Sequence, residues 1–268
     1  MRLCVSNIAW KAEQEPEALE LLLSLGVNCL EVAPTRWWPD LSSVDSEQIL
    51  RVQEQWSKLG FTAVGFQAIL FGRPDLSIFD DLTRDASLRY LQAVISLGFR
   101  MGISAIVFGA PKNRVRGSRS HEQAHEEAVS FFRVIGQTAF ECGIRFCFEP
   151  NPVSYGGDFG CTMEESMTLV EGVDSPGFWL NLDSGAIALN GENPHEVVER
   201  ARGRIGHVHI SEPWLAGFSR PTAPHRELAS ALERVGYDGI VSVEMRASEN
   251  GLDGVRQAVE FVKSVYPC

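Results

Sequence analysis

Residues 139–150 of the chain read AFECGIRFCFEP, and this stretch shows the unit from which the fold is built. It closes a segment with helical spacing, Glu122–Cys142, passes through Gly143, and continues as the apolar run Arg145–Phe148 before Glu149 and a proline. Glycine just past the last turn is a common helix end. A short apolar run bounded by such breakers is typical of a buried strand. The stretch therefore predicts a helix, a glycine and a strand in that order.

The same unit recurs along the whole chain. Eight apolar runs predict strands, namely Leu3–Ile8, Cys29–Ala33, Thr62–Phe66, Ser104–Phe108, Arg145–Phe148, Phe178–Leu182, Gly206–Ile210 and Ile240–Val243. The predicted helices are Pro16–Leu25, Ile49–Leu59, Leu82–Leu97, Glu122–Cys142, Glu164–Val170, Pro194–Ala201, His225–Val235 and Leu252–Val265. Several of them stop at a glycine, at Gly26, Gly60, Gly98, Gly143 and Gly236.

Eight strand-then-helix units in 268 residues match the size of a (β/α)8 barrel. The segment after the first run carries no GxGxxG pattern, which disfavours a doubly wound dinucleotide fold. We therefore predict an α/β fold with a single domain, a TIM barrel over residues 1–268.

Composition and charge narrow the class of protein. Hydrophobic residues make up 44% and charged residues 22%, which are values of a folded globular chain. The formal net charge of −11 repels phosphate backbones, so nucleic acid is not an expected partner. The six cysteines lack CxxC spacing, and the chain has no run of eighteen apolar residues and no leader-like start. We expect a reduced, cytoplasmic protein without membrane contact, and a homo-oligomer stays open.

Four consecutive predicted strands end in an ionisable or ligating side chain. These residues are Glu149, Asp183, His209 and Glu244. In a TIM barrel the carboxyl ends of the strands meet at one face, so the four side chains are expected to converge. Three carboxylates at one mouth would repel each other, and a divalent cation neutralises them while accepting oxygen and nitrogen ligands. The set predicts a site for Mn²⁺ or Mg²⁺, with Co²⁺, Fe²⁺ and Zn²⁺ also compatible.

Strand parity predicts the layer beneath these side chains. Residues two apart on a strand point to the same face, which places Cys147, Asn181, His207 and Ser242 below the four predicted ligands. All four are small or polar where a barrel interior usually carries Val, Ile or Leu. We expect Asn181 and His207 in particular to hydrogen-bond to the ligands and orient them. The alternative is a tight core of satisfied polar groups.

Further residues at the same face are candidates for substrate contacts. Lys112 belongs to a basic loop after the fourth strand, and Arg246 lies two residues past Glu244, so both can bind a carboxylate or phosphate of a substrate. They can equally balance the acidic surface. Glu31, at the end of the second strand, is expected to bond a substrate hydroxyl or to pair with Arg36. Trp38 is expected to wall the pocket against a sugar ring, and the alternative is that it simply packs the loops together.

The motifs around the four strand ends resemble a known family. They are Glu149 followed by proline, Asp183 in LDSG, His209 in HVHISE, and Glu244 after GYDGIVSV. Together they resemble the xylose-isomerase-like TIM barrels, and within them the sugar phosphate isomerase/epimerase group with its ketose 3-epimerases, hydroxypyruvate isomerases and inosose dehydratases. The resemblance implies that the four residues hold a divalent metal and that Glu149 and Glu244 also act as the acid/base pair.

What the resemblance implies for activity is proton transfer through a metal-stabilised enediolate in a small keto-sugar or related hydroxy-carbonyl compound. Two departures bear on the substrate. Ala186 stands where ketose epimerases carry a histidine, and Tyr155 stands where they carry a glutamate. The expected function is a sugar isomerase or epimerase. The alternatives are an inosose-type dehydratase and a metal-binding barrel that has lost its activity.

Overall fold

The eight predicted strands form a closed parallel barrel in sequence order, with β1 paired to both β2 and β8. The computed structural model describes all residues from 1 to 268. The strands are β1 Arg2–Ser6, β2 Cys29–Val32, β3 Thr62–Phe66, β4 Ala105–Phe108, β5 Arg145–Phe148, β6 Phe178–Asp183, β7 Ile205–Ser211 and β8 Ile240–Glu244. The predicted α/β fold, a (β/α)8 TIM barrel, is confirmed.

Nine helices surround the barrel. They are α1 Glu15–Ser24, α2 Ser46–Lys58, α3 Arg84–Met101, α4 His121–Glu141, α5 Met163–Val173, α6 Ser184–Asn190, α7 Pro194–Arg200, α8 His225–Arg234 and α9 Leu252–Val265. Eight of them match the predicted segments, whereas α6 was not predicted because seven residues are too few to show a helical period. None of the helices is both long and apolar enough to cross a lipid bilayer.

Among the element ends that differ from their prediction, two show a clear local reason. Gly98 does not end α3 but lies inside it, where a Cβ would come within 3.1 Å of the Ile106 side chain, so the glycine permits close packing of helix on strand. The helix ends instead at Gly102, whose φ of +72° is favourable only for glycine. Strand β1 stops at Ser6 because Asn7 turns away and accepts a hydrogen bond from the backbone N–H of Ala33 at 2.8 Å.

The apolar core lies mainly between the barrel and its helices. An aromatic cluster occupies this layer where α4 crosses β4, β5 and β6. The Phe132 ring of α4 stacks on Phe178 at 5.0 Å and meets Phe108 edge-on at 5.3 Å, both measured between ring centroids. Such offset and edge-on pairs add to the burial of apolar area. The apolar outer layer leaves the inside of the barrel free to carry polar side chains.

Strand β6, which begins with Phe178 of this cluster, is preceded by Gly177. The missing side chain of this glycine allows close contact with α4, and this packing can be tested. In a Gly177→Ala variant the added methyl would overlap the carbonyl oxygen of Gly136 and lie 2.5 Å from the backbone nitrogen of Phe140. Because both atoms belong to the α4 backbone, we expect the free energy of unfolding to fall by about 1–3 kcal/mol in urea titrations. Gly217→Ala is the control, since its methyl meets only Met245, at 3.8 Å. Equal stability of the two variants would contradict this packing.

Candidate metal centre

The barrel brings the four predicted strand-end side chains together. Asp183 and Glu244 are the last residues of β6 and β8, and Glu149 directly follows β5. The strand register aligns Asp183 with His209 and Glu244 with Ser211. Asp183, His209 and Glu244 each offer a ligand atom within 4.8 Å of the others. All four side chains are buried, so three carboxylates and one imidazole share a space with little water to screen them.

The geometry at His209 fits a divalent cation. Its Nδ1 lies 3.1 Å from an oxygen of Glu149 and 3.2 Å from an oxygen of Glu244, yet neither oxygen is aligned for a hydrogen bond and the buried nitrogen has no partner. Two ligand atoms at right angles around an ion, with bonds of about 2.1 Å, lie about 3.0 Å apart. Separations of this size between unbonded donor atoms are those expected around a shared metal ion.

The other ring nitrogen of His209 is held by Glu31. One oxygen of Glu31 lies 3.0 Å from Nε2 of His209 and 3.0 Å from Nε2 of His207, and its second oxygen accepts from Ser242 at 2.8 Å. Burial alone would raise the pKa of Glu31, but the His209 and His207 rings hold it well below its usual range. An ionised Glu31 keeps a proton on Nε2 of His209 and leaves Nδ1 free to bind a metal.

Two predictions for Glu31 are therefore wrong. The residue is fully buried and both its oxygens are engaged, so it does not reach a substrate hydroxyl. It does not pair with Arg36, which instead bonds to the carbonyl oxygen of Trp10 and lies 4.0 Å from Glu15. Glu31 belongs to the layer beneath the four side chains, because it contacts His207 of β7 and Ser242 of β8, which lie in that layer.

Amide and hydroxyl groups orient the carboxylates of Glu149 and Asp183. Asn181 donates to one oxygen of Glu149 at 2.7 Å, and Asn151 donates to the other at 2.5 Å. Asp183 accepts from the hydroxyl of Ser211 and from the backbone N–H of Ala186, both at 2.6 Å. His207 hydrogen-bonds to none of the four side chains, so this part of the prediction is wrong. Its Nε2 lies 3.0 Å from Glu31, and its ring meets the His209 ring edge-on.

Sequence reasoning missed Asn151 and Ser211, although a signal for both was present. Each stands two residues past a predicted ligand, Asn151 after Glu149 and Ser211 after His209. The prediction from strand parity extends only to the layer two residues before the ligands. For Ser211 the parity rule holds without change, because β7 continues through it.

Without a cation the cluster is electrostatically strained. Burial, and then the charges of Glu149 and Glu244, raise the pKa of Asp183 to about 7. Burial also raises the pKa of Glu244, and the charge of Glu149 adds to the shift. Burial opposes a charged imidazole, but Glu31 and Glu244 outweigh it and raise the pKa of His209. The protein thus holds protons here where a divalent ion would supply positive charge.

A cavity of about 570 Å³ opens above the four side chains and reaches the surface. Of the residues predicted to contact substrate, Lys112 and Arg246 line it, as does Tyr155. Trp38 does not line it, and this prediction is wrong: its ring is 7% exposed and packs edge-on against Trp37 at 5.9 Å between centroids. The apolar part of the wall comes instead from Ile69, Leu70, Phe71 and Leu215.

Comparison with known families decides the lineage of this barrel. The family model of the xylose isomerase-like TIM barrel matches residues 19–265, nearly the whole chain. The chain belongs to the xylose isomerase-like TIM barrel family. The predicted family resemblance is thereby confirmed.

Individual relatives of this xylose isomerase-like chain are distant. A stretch of 127 residues is 26% identical to the D-psicose 3-epimerase of Enterocloster bolteae, and it covers 47% of this chain but only 42% of that protein. The crystal structure of D-psicose 3-epimerase with D-tagatose from Clostridium cellulolyticum H10 superposes over 100% of both chains, with a TM-score of 0.82 and 20% identity. The IolI protein with a bound zinc atom also matches over 100% of both chains, with a TM-score of 0.76 and 17% identity. These structural similarities establish the fold.

Glu31 provides a first test of the metal centre. We expect Glu31→Gln to weaken Mn²⁺ binding by about 10–100-fold in calorimetric titrations, because the neutral amide no longer holds the Nε2 proton of His209 in place. Ser242→Ala is the matched variant, since it removes one bond to Glu31 but leaves both imidazole contacts intact. A folded Glu31→Gln protein that binds Mn²⁺ as tightly as the wild type would contradict the orienting role.

Asp183 provides a second test, which works on the metal-free protein. Its folded pKa of about 7 lies above the unfolded value near 3.9, so the folded state retains a proton that the unfolded state releases. Stability from this group is therefore present at low pH and lost as the pH rises toward and through 7. We expect metal-free Asp183→Asn to be more stable than the wild type by about 1–3 kcal/mol at pH 8 and equally stable at pH 4.

Urea unfolding at the two pH values measures this difference. The exposed Asp238 serves as the control, because Asp238→Asn removes the same charge far from the cluster. Added Mn²⁺ is expected to stabilise the wild type and not Asp183→Asn. A metal-free Asp183→Asn protein that is less stable than the wild type at pH 8 would show that the cluster is not strained by its own charge.

Proposed function

We propose that this protein is a divalent-metal-dependent isomerase or epimerase of a small keto-sugar or a related hydroxy-carbonyl compound. The observation that carries the proposal is the placement of two carboxylates, Glu149 and Glu244, at the floor of the cavity beside the same nitrogen of His209. They belong to strands three apart in the barrel, β5 and β8, and so approach the cavity from different directions. Family membership and the name of the D-psicose 3-epimerase relative point to the same chemistry.

In this proposal Glu149, Asp183, His209 and Glu244 hold the ion. When bound, the ion supplies the positive charge that stabilises an enediolate formed next to a carbonyl group. Oxygen ligands with a single imidazole favour Mn²⁺ or Mg²⁺ over softer ions, and Co²⁺, Fe²⁺ and Zn²⁺ remain compatible with the same donors. The unpartnered Nδ1 of His209 and the raised pKa of Asp183 support a cation at this point.

The chain's own residues then divide the proton transfer. Asn151 and Asn181 fix both oxygens of Glu149, so this carboxylate presents a constant orientation to the cavity. No amide or hydroxyl donates a hydrogen bond to Glu244, whose oxygen lies 3.2 Å from Nδ1 of His209, and this leaves the carboxylate free to take up and release a proton. One glutamate removes the proton beside the carbonyl carbon, and the other returns a proton from a different direction. Return of the proton to the same carbon inverts that centre. Return to the former carbonyl carbon, with transfer of the hydroxyl proton to the former carbonyl oxygen, moves the carbonyl to its neighbour.

Isotope exchange tests the proposal directly. With Mn²⁺-loaded protein in D₂O, a panel of ketoses and inososes is expected to gain deuterium at the carbon beside the carbonyl, read by NMR. Glu149→Gln and Glu244→Gln should each lower the exchange rate by at least about 10²–10⁴-fold, since each removes one proton carrier. Glu192→Gln, on a half-buried carboxylate that bonds to the Met163 N–H outside the cavity, is the control.

Other products would overturn the proposal in distinct ways. An absorbing unsaturated product in place of exchange would identify a dehydratase that expels a β-hydroxyl from the same intermediate. Metal binding without exchange or elimination on any sugar would indicate a binding protein. Near-normal exchange in either glutamine variant would contradict the roles given to the two glutamates.

A further inference from the structure

The wall of the cavity contains two cationic side chains that the proposed proton transfer does not use. Lys112 follows β4 and Arg246 follows β8, so they come from opposite sides of the eight-stranded barrel and line the same cavity. Neither forms an ion pair or a side-chain hydrogen bond with the protein, and both are exposed. Arg73, the third cation of this wall, is already neutralised by Asp75 at 2.8 Å. Two positive charges in the cavity therefore have no counter-ion within the chain.

The uncharged polar side chains of the same wall are all engaged with the protein. Gln67 donates to Ser6 at 2.6 Å, and Asn113 donates to two carbonyl oxygens at 2.7 and 2.8 Å. Asn151 is bonded to Glu149, and the hydroxyl of Tyr155 accepts from the N–H of Trp214 at 3.0 Å. On the wall of the cavity, Lys112 and Arg246 are thus the polar side chains that have no hydrogen-bond or ion-pair partner in the protein.

Neighbouring loops fix where the two cationic chains start. The aliphatic stem of Lys112 runs past Gly156, where a Cβ would lie 3.7 Å from its Cε. The backbone N–H of Arg246 donates to the carbonyl oxygen of Leu215 at 3.0 Å, which ties the start of its loop to the segment after β7. Trp214 and Leu215 hold left-handed backbone angles, with φ of +63° and +56°. Non-glycine residues adopt this conformation at a cost that the surrounding structure must offset.

The negative charge of the cavity floor and of the whole chain indicates what Lys112 and Arg246 are suited to bind. The floor holds three carboxylates, of which a bound divalent ion balances two charges, and the chain carries a net charge of −11. A negatively charged substrate would therefore still be repelled unless positive groups met it. A neutral sugar would not require unpaired cations on the wall. Lys112 and Arg246 offer an ammonium and a planar guanidinium, the two groups that bind carboxylate and phosphate most strongly.

We propose that the substrate is a keto-sugar with an anionic group, a carboxylate or a phosphate, on the end remote from its carbonyl, bound by Lys112 and Arg246. This inference rests on the proposed isomerase or epimerase function and adds the substrate class. The carbonyl end lies over the four floor side chains, and the anionic end lies against the wall. The apolar side chains of Ile69, Leu70 and Leu215 then border the space between the two ends.

A matched set of probes tests the substrate class. D-fructose, D-fructose 6-phosphate and D-fructuronate share a ketone and differ in their terminal group, which is neutral, a phosphate or a carboxylate. With Mn²⁺-loaded protein in D₂O, we expect at least one of the two anions to exchange its proton with a kcat/KM about tenfold or more above that of D-fructose, mainly through KM. The better of the two anions identifies the terminal group.

Two variants and one control assign this preference to the wall. Lys112→Met and Arg246→Met are each expected to lower the ratio of kcat/KM for the anion to that for D-fructose by about tenfold. Arg234→Met removes the same charge from the exposed C-terminal end of α8, at the other end of the barrel, and should leave the ratio unchanged. Circular dichroism verifies that all three fold.

The outcomes separate this inference from the proposed function. Equal exchange of the neutral and charged sugars, or a ratio that neither wall variant changes, would overturn the anionic substrate while exchange itself upholds the proton transfer. If no sugar exchanges, the proposed function fails, and calorimetry with D-fructose 6-phosphate and D-fructuronate then shows whether the wall binds anions. Binding that Lys112→Met or Arg246→Met weakens tenfold would support an anion site, and no binding, or binding that neither variant weakens, would overturn it.

Discussion

Three carboxylates share a buried space around one imidazole nitrogen, and the rest of the site is arranged to tolerate that concentration of negative charge. Each of the three would be solvated at a surface, but at the mouth of this barrel all are buried. The raised pKa of Asp183 shows the cost, since the metal-free protein reduces the repulsion by binding protons. A divalent ion at the same point removes the need for them.

The barrel interior supports this cluster with a second polar layer. Glu31 orients His209 through Nε2, Asn181 orients Glu149, and Ser211 orients Asp183. Such contacts are possible because the apolar core is displaced outward, between strands and helices, where the phenylalanine cluster lies. Because the polar side chains are inside the barrel, the two proposed catalytic glutamates lie at the ends of rigid strands. Substrate selection is then left to the βα loops that carry Lys112 and Arg246.

Much of this could be predicted from sequence because two regular patterns carry it. The strand period and the repeated helix, glycine and strand unit predicted the barrel, and the position of a residue within a strand predicted which side chains point to one mouth. The features that were missed depend on three-dimensional packing.

In the sequence Glu31 is a strand-end carboxylate like the others, and only the closed barrel shows that β2 brings it beneath His209. Trp38 follows a strand end, yet its ring packs against Trp37 rather than the cavity. Helix α6 is too short for its period to be visible and begins because Asp183 caps it.

Anomalous X-ray scattering from crystals soaked in Mn²⁺ tests the central claim most directly. A second group of possible ligands, Glu31 with His207 and His209, lies directly below the first, so the position of the ion distinguishes the two. We expect one anomalous peak per chain, within coordination distance of Nδ1 of His209 and of oxygens from Glu149, Asp183 and Glu244. A peak between Glu31 and His207, or no peak at all in a crystal with these side chains ordered, would contradict it.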